Sequence, residues 1–127
     1  MFFASFFRVI IMSSFKIPKK VSKEAQIGLD LIAAGFAGGT KTGIARARQL
    51  AAGGHVSEQD LKTMRAWFAR HGPGASNGGT SFPGYIKWVN DDEPRVPNQE
   101  NKNNYRGAVA WLIWGGTPAF VWCHSVI

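Results

Sequence analysis

The stretch RGAVAWLIW, residues 106–114, constrains the fold more than any other part of the chain. After Arg106 it carries no charge, and Val109, Leu112, Ile113, Trp111 and Trp114 leave a helix built from it apolar almost all round. Such a helix has to be covered on most sides, so the remaining elements must be arranged about it. At 127 residues the chain has room for one core and none for two lobes with a cleft between them.

Upstream, three shorter helices are marked by their ends. Ser22 is placed to cap a helix from about Lys23 to Ala34, with Ala25, Leu29 and Ile32 at helical spacing and Gly35 as its stop. Gly38-Gly39 breaks that pattern, Thr40 offers a new cap, and TGIARARQLAA runs to Gly53-Gly54. Ser57 followed three residues later by Asp60 resembles a capping box with Asp in place of Glu, and opens a third helix through about Arg70. Leu61, Met64, Phe68 and His71 form its core stripe, with Trp67 beside it.

GPGASNGGTSFPG carries five Gly and two Pro in thirteen residues and reads as a loop. YIKWV fits a short strand or one helical turn, and NDDEPRVPNQENKNN reads as a solvated excursion. Asn104 is a cap for the apolar helix, Gly115-Gly116 its end, and Thr117-Pro118 the start of a further short helix or a buried tail. The expected fold is mainly α: a small single domain over 21–127, of four to five short helices, with a long polar loop at 72–104 and room for one short strand. Residues 1–20 read as a basic and hydrophobic leader. Its opening MFFASFFRVIIM is too short and too interrupted by Arg8 to span a bilayer, lacks the basic start of a signal peptide, and offers Met12 as a second start. A membrane partner is therefore not expected.

The balance of 15 Lys and Arg against 8 Asp and Glu gives +7, which favours an anionic partner. The excess is N-terminal: residues 1–20 hold four basic and no acidic residues, 21–71 seven against four, 72–106 four against four, and 107–127 none. Lys41, Arg46 and Arg48 on the second helix, with Lys62, Arg65 and Arg70 on the third, are the candidate nucleic-acid-binding residues. Joined through Gly53-Gly54-His55-Val56, the two helices have the outline of a helix-turn-helix. The competing reading is a solvated face, with Arg46 or Arg48 paired to Glu24, Asp30, Glu58 or Asp60.

FAGGTKTGIARARQLAAG, the helix ending LKTMRAWFARH, and GAVAWLIWGG followed by Trp122 together resemble a small helical domain recurring in tailed-bacteriophage and other viral proteins, alone or fused to larger structural or processing proteins. The resemblance covers roughly residues 22–122. It implies viral origin, a virion or host-cytoplasm location and a helical fold, and no settled activity. The chain departs from the pattern over 90–104, and at Thr117, where an acidic residue is common.

Catalytic and cofactor chemistry finds little support. The single Cys123 excludes an internal disulfide or a Cys-rich zinc site. AGGTKTG lacks the ending and spacer of a Walker loop and follows no strand. Asp91, Asp92 and Glu93 lack the alternation of a calcium loop, so a solvated turn is the simpler reading. His71 suits the end of its helix as a cap or buried partner, and Cys123 next to His124 should point away from it. The five tryptophans read as core, except Trp88, which beside Lys87 and Tyr85 looks exposed. The expectation is a non-enzymatic viral accessory or structural protein without cofactor or metal. It would contact nucleic acid non-specifically through phosphates. The alternative is a minor capsid or cement protein docking other virion proteins through its Phe-rich N-terminus, polar loop and C-terminal aromatics. Salt bridges at Arg46, Arg48, Lys62 and Arg65 would weaken the first reading.

Overall fold

Side-chain caps mark two of the six helix starts among the described residues, those at Thr40 and Ser57. Strand β1 (Ser14–Lys16) leads into α1 (Lys19–Ala34), which Gly35 ends in the left-handed conformation. In α2 (Lys41–Ala52) the Thr40 hydroxyl accepts from the Gly43 N–H at 3.0 Å. Strand β2 (His55–Ser57) runs directly into α3 (Glu58–His71), whose capping box is complete: Asp60 N–H donates to the Ser57 hydroxyl and Ser57 N–H to the Asp60 carboxylate, each at 3.0 Å. Then follow α4 (Ser81–Asn90), α5 (Arg106–Ile113) and α6 (Gly116–Val126). The computed structural model describes residues 14–75 and 79–127. The Phe-rich segment 1–11 and the Met12 start lie outside them.

The domain is mainly α, as expected, with six helices among the described residues and one two-stranded sheet. Four boundaries differ from the sequence reading. The domain begins before residue 21: β1 pairs antiparallel with β2, in the register Ser14↔Ser57, Phe15↔Val56, Lys16↔His55, and Ile17 is buried. First-helix residues start at Lys19 after Pro18, not at Lys23 after Ser22: Pro18 is the N-cap, and its carbonyl accepts from the Val21 and Ser22 N–H groups at 3.0 and 3.2 Å. The excursion at 72–104 is not all loop: SFPGYIKWVN forms α4, where Pro83 sits in the first turn and needs no donor. Tyr105, not Asn104, precedes α5, and Asn104 donates instead to the Glu100 carbonyl.

α5 lies at the centre, packed against α1, α2, α4 and α6. Ala108, Val109, Trp111, Leu112 and Ile113 are fully buried. The tight crossings are made at glycines. A Cβ on Gly28 would lie 2.8 Å from the Ile113 backbone nitrogen, and one on Gly84 2.8 Å from the Gly107 Cα. The buried side of α1 is accordingly Val21, Ala25, Gly28 and Leu31, with Leu29 and Ile32 only half-buried. Trp88 is 1 % exposed, contrary to expectation, and its indole N–H donates to the Pro94 carbonyl at 3.0 Å, which pins the polar segment to the core.

Candidate nucleic-acid interface

The six cations singled out on α2 and α3 stand on helices with different packing partners. α2 packs against α1 and α5, whereas α3 packs against α6, and β2 occupies the connection between α2 and α3. The helix-turn-helix outline is therefore not reproduced. What links the two helices is Arg46, which donates to Asp60 at 2.9 Å and to Gln49 at 2.6 Å, with its guanidinium 5.9 Å from the Trp114 ring centre. Burial alone would raise the Asp60 carboxyl, but hydrogen bonds from the Ser57 N–H and Arg46, with the Arg46 charge, outweigh it and hold its pKa at about 2. Arg46 is a structural clasp.

Lys62 lies 3.8 Å from Glu58, an exposed i,i+4 pair of little strength. Lys41, Arg48, Arg65 and Arg70 are exposed, and none makes an ion pair among the described residues. Lys41 and Arg48 lie on one exposed stripe of α2 with Ala45 and Ala52. An open depression of about 640 Å³ is lined by Lys41, Thr42, Ala45, Arg46, Gln49 and Asp60. The ionised Asp60 in its wall opposes an anion, so it is a poor phosphate seat.

The chain also brings together three cations that the sequence reading placed in the leader, Lys16, Lys19 and Lys20, with Lys23, which it placed on the first helix. Lys16, Lys19, Lys20 and Lys23 are exposed at β1 and the start of α1, with no ion pair among the described residues. The signal was present in SFKIPKKVSK, four lysines in ten residues with no acid.

The remaining chemical candidates have structural employment. Gly38 and Gly43 of AGGTKTG press against α5, where Cβ atoms would lie 2.9 Å from Val109 Cβ and 2.8 Å from Ile113 Cδ1. Asp91 accepts from the Tyr105 hydroxyl at 2.9 Å and faces Lys87 at 3.4 Å, while Glu93 lies 3.7 Å from Arg95. Thr117 is no cap; its hydroxyl accepts from the Trp111 indole at 3.2 Å. His71 packs against Trp67 with the rings tilted by 35° and 4.9 Å between their centres, and burial, with the Arg70 charge, lowers its pKa. That opposes the cationic helix cap suggested by its position.

Cys123 and His124 do approach, Sγ to Nδ1 at 3.6 Å, contrary to expectation. The same Nδ1 is 2.7 Å from the Phe120 carbonyl, which can only accept, so it carries the hydrogen and is no base for the thiol. Burial pushes the Cys123 pKa up to about 11. Among the described residues no helix is long and apolar enough to cross a membrane. No family model, curated protein or solved structure matches the chain.

Proposed function

We propose that this chain is a non-enzymatic viral accessory or structural module, working in the virion or the host cytoplasm, that contacts nucleic acid by attraction to phosphates. One observation carries the reading: residues 14–71 present Lys16, Lys19, Lys20, Lys23, Lys41, Arg48, Arg65 and Arg70 to solvent without ion pairs among the described residues. Flexible cations spread over a surface suit phosphate contact, which gives affinity without sequence readout. The non-enzymatic part is supported by the high thiol pKa of Cys123, the engaged His124 and the packed glycines of AGGTKTG. Titrating the full chain into short labelled duplexes of unrelated sequence at low salt tests the reading. Equal binding to each supports it, and no binding contradicts it.

A second reading, a minor capsid or cement protein, is favoured by a depression of about 540 Å³ between the start of α1 and α6. Pro18, Pro118, Val121 and Trp122 line it together with Lys20, Glu24 and Thr117, and Val121 is 56 % exposed. An exposed apolar patch rimmed by charged and polar side chains suits protein–protein contact. The basic charge would then face a packaged genome.

A further inference from the structure

We infer that the lysine-rich start of the domain, Lys16, Lys19, Lys20 and Lys23 together with Arg48 from the far end of α2, is the principal nucleic-acid contact surface, ahead of the cations of α3. The inference rests on the nucleic-acid reading above and assigns it a place.

Three segments converge there. Phe15 and Val56 turn toward the core, so their neighbours Lys16 and His55, opposite each other across the strand pair, take the solvent side. The Ile17 N–H donates to the Gly54 carbonyl at 2.8 Å, which holds the start of α1 beside the end of α2. A Cβ on Gly115 would touch both Val21 at 2.9 Å and Leu50 at 3.4 Å, so the first turns of α1 lie alongside the last turns of α2. One on Gly39 would meet Ile32 and Ile44, at the opposite end of the same antiparallel pair. Arg48 therefore belongs to the lysine end, and Lys41 to the other.

The charge there is offset from within only in part. Glu24, which shares a depression wall with Lys20, is half-buried; burial and Glu93 raise its pKa while the Lys23 and Arg95 charges pull it down, and it makes no ion pair with either lysine among the described residues. Asp30, further along α1, accepts from Gln26 at 2.9 Å. Nor do the lysines serve the helix they begin. The first turn of α1 has no acidic residue and no side-chain cap, so Lys19 and Lys20 face the positive end of its dipole, whereas α3 opens with Glu58 and Asp60. It is the exposed charges, across strand and helix, that make this surface. They extend along roughly 15 Å of chain, a span that a polyanion can neutralise at several points together. On α3, by contrast, Lys62 is already drawn toward Glu58.

The test compares two full-length triple variants that each remove three charges: Lys16→Ala/Lys19→Ala/Lys23→Ala and Lys62→Ala/Arg65→Ala/Arg70→Ala. Binding to short labelled double- and single-stranded DNA is measured across a salt series, with phosphatidylserine vesicles in parallel. The first variant should weaken low-salt DNA binding about tenfold or more and reduce the log–log salt slope by roughly 2 to 3, and the second by less than about 1. Replacing the same three lysines by Arg should keep binding, which separates lost charge from lost folding. Equal losses, or a larger loss in the second variant, overturn the inference and leave the nucleic-acid reading standing. Wild-type binding to vesicles but not DNA, or to neither, overturns both.

Discussion

Arg46 near the middle of α2 donates to Asp60 in the first turn of α3 at 2.9 Å, and this contact ties together two helices that pack on different neighbours. The same carboxylate accepts from the Ser57 N–H, so one side chain closes both the helix cap and the interhelical clasp.

Asp60→Ala should therefore cost about 1–2 kcal/mol, read as a lower urea midpoint, since it removes a cap and a charge-assisted bond at once. The pH dependence has a definite sign. The folded carboxyl holds its pKa at about 2 against an ordinary 3.8, so its contribution is complete above about pH 4 and is lost as pH falls toward 2. The stability gap between wild type and Asp60→Ala should narrow over that window. A gap that is constant with pH would show that the charge of Asp60 does not matter.

Gly28→Ala in the middle of α1 should destabilise, although helix propensity alone favours Ala by about 1 kcal/mol. The added Cβ would lie 2.8 Å from the Ile113 backbone nitrogen and 3.1 Å from the Leu112 carbonyl carbon, and backbone in the central helix has nowhere to move. Overpacking of this kind costs about 1–3 kcal/mol. A raised melting temperature would contradict the crossing.

Trp88→Ala should cost about 3–5 kcal/mol, the range for emptying a buried aromatic site. Trp88→Phe keeps most of the apolar area but leaves the Pro94 carbonyl without its donor, and should cost about 1–3 kcal/mol. Both are measurable by chemical denaturation. Neutral behaviour of the alanine variant would place Trp88 at the surface.

These residues show where the sequence was readable. The capping box at Ser57 and Asp60, the Thr40 cap and the apolar α5 are written within a few neighbouring positions, and each formed as expected. Trp88 was misread because its sequence neighbours Lys87 and Tyr85 suggest exposure, while its burial comes from contacts distant in the chain. α4 was hidden by Pro83 and Gly84, a proline tolerated in a first turn and a glycine required by the approach to Gly107. β1 and β2 are three residues each and separated by α1 and α2, too short and too far apart for pattern to reveal. Charge excess was legible, and Asp60 was among four acids named for Arg46 or Arg48, but the choice between them was not, because it depends on how α2 and α3 are brought together 14 residues apart.

Cys123 should resist thiol reagents in the native protein at pH 7–8. Burial pushes its pKa up to about 11, so little thiolate exists, and the sulfur is fully covered. Labelling with a maleimide should proceed only on unfolding in denaturant. Rapid native labelling would restore the Cys123–His124 pair as a reactive site.

The central claim is that exposed, unpaired cations of residues 14–71 bind phosphates. Its most direct measurement is the affinity of the full chain for a short duplex as salt is raised. Simultaneous engagement of four or five cations predicts a log–log slope of about −4, with similar affinity for unrelated sequences. A flat salt response, or no binding at low salt, would contradict it.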